Sequence, residues 1–394
     1  MASLLVVRLF DEWFSFLPAG SLEPLRRDLD LTYAQLSSLL ILMTAGGLVG
    51  GLFAIAADRV SRRVQASLGA LGYGISLACW GLGEEVWILG AGAVLLGLSS
   101  DALLSACEVA LVDLAGDDLV AVLAPGNLGA EIGDLLGPLL LAAAAGLGWS
   151  WRAPFIFGAV AFVVYAAVLA AQPLPRPRAD PDRGSPASDV WACLRDRRVW
   201  RLSVVSLLFD TMDEPFLGFA IAFLEVDRGQ SHGVAVLVGA SVLMGGMLGA
   251  AALTLGVGGR TGRAGPSVGA AMMLVFSVLG IIIAPTIPLQ IVFGLVGGAA
   301  SVAFWTRLQA GILGLRPGQP GTTAAVVGYL SLPGALCPLA AAAAADRFGL
   351  RAALGVYLLV AVALTVVTAA GRLQPPQRPS LVTGSSETLP STMR

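Results

Sequence analysis

The sequence predicts an all-α integral membrane protein, with twelve transmembrane helices in two pseudo-symmetric six-helix bundles. Three observations carry this. Of the 394 residues, 56% are hydrophobic and only 13% are charged, where soluble domains carry about a quarter charged residues. Apolar stretches long enough to cross about 30 Å of hydrocarbon recur along the whole chain. A polar segment rich in Pro, Arg and Asp then separates them into two sets of six.

The first set lies near 2–22, 34–57, 65–83, 86–111, 122–147 and 153–172, forming an N-terminal bundle over 1–172. Arg8, Asp11 and Glu12 interrupt the apolar core that a cleaved leader needs, so the first stretch reads as a retained helix. Residues 173–199, opening with PLPRPRADPDRGSPASD, read as a solvated linker. The second set lies near 200–224, 233–257, 266–285, 287–313, 321–345 and 351–370 and forms a C-terminal bundle over 200–370. The Pro/Ser-rich tail 371–394 reads as disordered.

Arginine sets the orientation, because short loops rich in basic residues stay on the cytoplasmic side. Asp58-Arg59-Val60-Ser61-Arg62-Arg63, the linker with Arg176, Arg178 and Arg183, and the loop with Arg260 and Arg263 all fall on one side. Both termini are therefore expected in the cytoplasm, and the protein in the cell (inner or plasma) membrane. An internal repeat agrees with the six-plus-six division. At an offset of 199 residues, Val6, Leu9, Phe10 and Asp11 match Val205, Leu208, Phe209 and Asp210, and Gly46, Gly47 and Gly50 match Gly245, Gly246 and Gly249.

Composition also excludes. A net charge of −2 offers no basic footprint for nucleic acid. Four cysteines without CxxC spacing and a single histidine provide neither a disulfide framework nor a metal site, and no cofactor is implied. HExxH, GxSxG and the phosphate loop GxxxxGK[ST] are all missing, which sets aside an intramembrane enzyme and ATP-driven transport.

The chemistry sits in charges that a membrane span disfavours. An ionisable residue at mid-membrane costs about 2.5–3.5 kcal/mol on insertion scales and usually faces a cavity. Arg8, Asp11 and Glu12 share a helical face in span 1, with Arg8 available to pair with either acid. Asp101, Ser105 and Glu108 form a stripe on span 4, and Asn127, Glu131 and Asp134 form one on span 5, an arrangement expected to line one shared wet cavity. Span 7 adds Asp210, Asp213 and Glu214 before Pro215, where a helix loses a hydrogen bond and is expected to break. Arg307 is the basic residue of span 10. Nine carboxylates facing two arginines cannot all ionise away from water, so some are expected to carry protons. Gly129, Gly133 and Gly137 repeat every four residues on span 5 and let another helix approach closely. Trp13, Trp80, Trp87, Trp149 and Trp151 fall near span ends and read as interface anchors.

Several of these segments resemble the major facilitator superfamily over nearly the whole chain. Asp58 to Arg63 is similar to its signature between helices 2 and 3, with Ala54 and Ser61 in place of the usual glycines. The second-half copy, Arg260-Thr261-Gly262-Arg263, lacks the Asp. Trp151-Arg152-Ala153-Pro154-Phe155 resembles the WRxPF segment entering helix 6, and Gly133, Gly137 and Pro138 resemble the GxxxGP core of proton-coupled drug exporters, without its following glycine pair. Asp11, LDLTYAQ at 29–35, Gly97 to Ser100, Asn127 with Gly129, and LGPLL at 136–140 resemble fosmidomycin-resistance-type efflux proteins.

The resemblance implies a monomeric secondary transporter that exchanges a small or amphipathic compound for protons by alternating access, that is, an efflux antiporter. It implies that Asp58 and Arg59, with Arg62 and Arg63, hold neighbouring helices together as a cytoplasmic gate. It also implies that Asp11 and Asp210, equivalent in the two repeats, stand beside a central cavity and couple protons. Uptake or lipid-like transport on the same fold, and a non-transporting sensor or scaffold, are the other readings.

The topology is tested by cysteine accessibility. Arg183→Cys is expected to react only from the cytoplasm and Ser231→Cys only from outside; labelling of both from one side overturns the orientation.

Overall fold

The computed structural model describes residues 2–31, 33–115, 118–175, 184–212, 214–256 and 266–372. Asp213, the side chain of Glu214, Arg176, Arg178, Arg183, the loop with Arg260 and Arg263, and the tail from 373 lie outside the described residues. The first half contains α1 (Ala2–Gly20), α2 (Leu22–Asp28), α3 (Tyr33–Gly50), α4 (Leu52–Ala57), α5 (Arg62–Leu82), α6 (Val86–Ala115), α7 (Leu119–Gly146) and α8 (Arg152–Ala171). The second contains α9 (Pro186–Arg195), α10 (Arg197–Asp210), α11 (Glu214–Val226), α12 (His232–Thr254), α13 (Val268–Ile283), α14 (Ile287–Leu313), α15 (Pro320–Ser331), a 3₁₀ turn η1 (Leu332–Leu336), α16 (Cys337–Phe348) and α17 (Leu350–Arg372).

Among the described residues, eight helical paths are long and apolar enough to cross a membrane unaided. The remaining spans are α1, which carries three charges, α5, which opens on Arg62-Arg63, the pair α10–α11, and the shorter α13. Local chemistry sets several boundaries. Asp118 accepts from Ala121 N at 3.1 Å to start α7, and Asp196 accepts from Arg198 N at 2.9 Å to start α10, each satisfying a backbone donor that a helix start leaves free. Span 7 breaks after Asp210, and Pro215 explains the place: its ring has no N–H for the carbonyl four residues earlier, at Thr211. Pro333 and Pro338 likewise divide span 11 into α15, η1 and α16.

Two expectations are corrected here. The linker does not remain solvated coil up to 199. Ser185 caps α9 by accepting from Ser188 N at 3.2 Å, with Pro186 in the first turn. Cys193 of α9 is fully buried, packed with Val199 and Leu308, and Val190 and Leu194 lie beside it. Trp80 is corrected too: it is buried and stacked on Phe155 at 5.8 Å and so is no interface anchor.

The first half has one apolar core drawn from α1, α3, α5, α6 and α8, with Tyr73 stacked on Phe162 at 4.0 Å near its centre. The second half has two, around Phe304 and around Tyr357. Backbone-to-backbone approach at glycines ties the central helices within each half. A Cβ on Gly46 would strike the Val94 carbonyl, and one on Gly97 the Met43 carbonyl and Gly47 N. The second half repeats both crossings, with Gly245 against the Leu295 carbonyl and Gly298 against the Val242 carbonyl and Gly246 N. The α3–α6 crossing is therefore reproduced by α12–α14 although Gly97 has no glycine at the 199-residue offset. Between the halves, α7 lies against α12 and α14, and α15 against α4 and α6. Their shared apolar cluster is small, centred on Leu123, Ala310 and Leu313.

Gly97→Val is expected to lower folded yield and thermal stability sharply. Overpacking commonly costs about 1–3 kcal/mol, and here the atoms struck are backbone that cannot rotate away. Gly355→Ala, which meets no atom within 4 Å, is expected to be neutral or slightly stabilising. Thermal melts in detergent compare the two, and equal behaviour would contradict the close crossing.

Candidate functional site

Among the described residues, two cavities lie between the halves. The central one, about 430 Å³, is lined by Arg8, Glu12 and Phe16 at four-residue intervals on α1 and by Asn127, Ala130, Glu131, Asp134 and Pro138 on one face of α7. From the second half come Phe209, Asp210, Met212, Leu217, Leu243, Ser301, Val302 and Trp305. Phe209 and Trp305 stack at 5.8 Å and form an aromatic wall. Asp210 accepts from Ser206 Oγ at 3.1 Å. The Glu131 carboxylate rests against Gly246 of α12, where any larger residue would displace it. Gly133 and Gly137 lie against Leu9, Trp13 and Phe16, so α1 sits directly on the glycine face of α7.

The second cavity, about 320 Å³, is bounded by α3, α4, α6 and α15. Asp101, Ser105 and Glu108 project into it from α6, among small and apolar residues such as Gly47, Gly51, Ala54, Ala324 and Gly328. A polar septum stands between the two spaces. Arg8 Nη2 donates to Glu108 Oε1, and Gln309 Nε2 donates to the same oxygen at 3.0 Å. Asn127 Nδ2 donates to Thr306 Oγ1 at 2.8 Å and to Gln309 Oε1 at 3.4 Å. Four helices, α1, α6, α7 and α14, thus meet through one hydrogen-bonded chain.

The arginine-rich face is closed. Asp58, 1% exposed, accepts at the N-terminus of α15 from Gly321 N at 3.0 Å, and from Thr322 N and Thr322 Oγ1, both at 2.7 Å. Free backbone donors and the positive end of the helix dipole make this a favourable place for a carboxylate. Gly321 is required for the approach, since a Cβ there would strike the Ala54 carbonyl. Arg59 donates to Asp189 of α9 and, at 2.8 Å, to the Gly184 carbonyl, while Gln319 Nε2 donates to Asp189 at 2.9 Å. Arg62 pairs with Asp113 at the end of α6.

Comparison with known proteins gives this arrangement its family. The sequence model of the Major Facilitator Superfamily matches residues 3–309. The chain belongs to the Major Facilitator Superfamily. No curated protein matches the sequence. Among solved structures, it is similar to the superfamily transporter FucP in the outward conformation, with TM-score 0.79 and 13% identity over 95% of this chain and 98% of that one. FucP is also described as the E. coli fucose:proton symporter. The human organic anion transporter MFSD10 gives TM-score 0.67 and 19% identity over 93% and 96% of the two chains. The proton:xylose symporter XylE gives 0.70 and 15% over 94% of each. The fold is therefore that of a secondary transporter and not of an enzyme.

Within this superfamily fold, Arg8, Glu12, Asn127, Glu131, Asp134 and Asp210 meet in the central cavity. Four expectations change. Arg8 pairs with Glu108 of α6, not with Asp11 or Glu12 in an ion pair of its own helix. The stripes on spans 4 and 5 line separate cavities. Asp11 lines neither cavity: it is buried, accepts from Ser100 Oγ at 2.6 Å, and its carbonyl accepts from Tyr73. Helical geometry explains this, because residues 11 and 12 diverge by about 100°, so Glu12 faces the cavity while Asp11 faces α6. Arg307 is half-buried, lines neither cavity and has no ion pair among the described residues. Arg63 is exposed and joins no ion pair among them.

Counting ionisable residues missed the neutral partners: Ser100, Thr306, Gln309, Gln319 and Thr322. Gln309 carried a signal, being an amide within the apolar span 287–313. Asp189 was hidden by the linker composition, although Val190, Cys193 and Leu194 have the spacing of a helix with one buried face.

The Arg8 and Glu108 side chains are 17% and 16% exposed, which places the pair in the buried regime. Arg8→Gln is expected to destabilise by about 3–5 kcal/mol by leaving a buried charge. Adding Glu108→Gln should restore much of that loss. Thermal unfolding of the single and double variants measures it, and additive losses would contradict the pairing.

Proposed function

We propose that the protein is a proton-coupled exporter of a small or amphipathic compound, working by alternating access with both termini in the cytoplasm. The observation that carries this reading is the convergence of Glu12, Glu131, Asp134 and Asp210 with Arg8 in one cavity between the halves. Carboxylates crowded this closely away from water favour sharing protons over carrying full charge together. The apolar wall of Phe209 and Trp305 suits the body of an amphipathic solute. Asp58, Arg59 and Arg62 then act as the cytoplasmic gate, closed here, so that the cavity serves the outer side. Asp58 holds the start of span 11 and must release it for the cavity to open inward. The resemblance to fosmidomycin-resistance-type proteins supports export.

A second reading is proton symport into the cell. It is favoured by the likeness to the symporters FucP and XylE, although at 14% and 15% identity that likeness concerns the fold.

Protein reconstituted in liposomes with an imposed pH gradient tests both. Solute movement opposite to the protons supports exchange, and movement with them supports symport. Asp210→Asn and Glu131→Gln are each expected to reduce gradient-driven flux at least tenfold while leaving the protein folded and monodisperse. Undiminished flux in both single variants and the double variant would remove these residues from coupling.

A further inference from the structure

Asp101 stands apart from the carboxylates of the central cavity. It projects from α6 into the second cavity, where Gly47 and Gly50 of α3 leave room for its carboxylate. Glu108, two turns further along α6, is already engaged by Arg8 and Gln309. Asp101 has no ion pair or side-chain hydrogen-bond partner among the described residues; Ser105 bonds only its backbone carbonyl. Asp101 is therefore the carboxylate of this cavity without a side-chain partner among the described residues, and when ionised at membrane depth it requires water or a cationic ligand.

The opening of this cavity indicates which ligand fits. Its rim is formed by Leu48 and Leu332, 42% and 44% exposed, and by exposed Gly328. All lie within the apolar spans 38–57 and 320–348, each long and apolar enough to cross a bilayer. The remaining wall is small or apolar apart from Ser105 and the Tyr329 hydroxyl, and the volume of about 320 Å³ is that of a small-ligand pocket. The septum of Arg8, Glu108 and Gln309 separates it from the central cavity.

We propose that this cavity is a second binding site, distinct from the central one, for an amphipathic monovalent cation entering sideways from the lipid between α3 and α15. The single carboxylate matches a single positive charge. The apolar wall takes the body of the ligand, and the lateral rim admits a molecule already dissolved in the bilayer. An anion finds no unengaged donor there of matching charge.

Equilibrium binding of radiolabelled tetraphenylphosphonium to the full chain in lipid nanodiscs, without a pH gradient, tests the site. Neutral triphenylphosphine oxide, of similar aromatic bulk and without net charge, serves as competitor. Saturable binding is expected, weakened at least tenfold by Asp101→Asn and by Gly328→Trp, which narrows the opening. Glu131→Gln in the central cavity should change affinity less than twofold, and the neutral oxide should compete at least tenfold more weakly than unlabelled tetraphenylphosphonium. Gly328 meets no atom within 4 Å, so that variant carries the test if Asp101→Asn does not fold. Absence of binding, wild-type affinity in both site variants, loss of binding in Glu131→Gln instead, or equal competition by the neutral oxide overturns the proposal. Gradient-driven flux in liposomes is read separately, so failure of this site is distinguishable from failure of the transporter reading.

Discussion

Arg8 lies within a membrane span with most of its side chain out of water, and its neutralisation by Glu108 organises the middle of this protein. Its partner Glu108 comes from α6 across the bundle. Glu108 in turn draws in Gln309 from the second half, and Gln309 meets Asn127 of α7. Each hydrogen bond is worth more here than in water because the unmade alternative is a bare polar group in a low-dielectric interior. One ion pair thereby fixes the register of helices from both halves and partitions the space between them.

The halves cohere by one kind of force and meet by another. Inside each half, glycines let backbones touch, as Gly97 does against Met43 and Gly298 against Val242, and such interdigitated contacts do not slide without loss of packing. Between halves, Asp58 accepts from the start of α15, Asp189 accepts from Arg59, Gln309 donates to Glu108 and Asn127 donates to Thr306, beside a small apolar cluster and one close approach of Gly321 to Ala54. Polar contacts of this sort can be exchanged for water at modest net cost. Rigid halves joined by a separable polar seam are what rocking motion requires, and the superfamily fold supplies that framework.

The repeat is closer in its packing than in its chemistry. The α3–α6 crossing recurs as α12–α14, yet Asp11 and Asp210, equivalent in sequence, have different surroundings. Pro215 ends α10 just past Asp210 and leaves that side chain at a helix terminus beside the cavity. α1 continues unbroken to Gly20, and Asp11 remains inside the first half on Ser100. Equivalent positions in the repeat thus have different surroundings.

Hydropathy and loop composition by themselves determined the spans, because burial of about twenty apolar residues in lipid outweighs any local preference. Spacing determined which charged residues share a helix face, as for Asn127, Glu131 and Asp134. Periodicity says nothing about which neighbour that face meets. Only the tertiary structure decided that Arg8 reaches Glu108, that Asp101 and Glu131 line different cavities, and that α9 joins the closed face through Asp189. These pairings depend on helix rotation and crossing, and those are set by the summed packing of many glycines and side chains from distant parts of the chain.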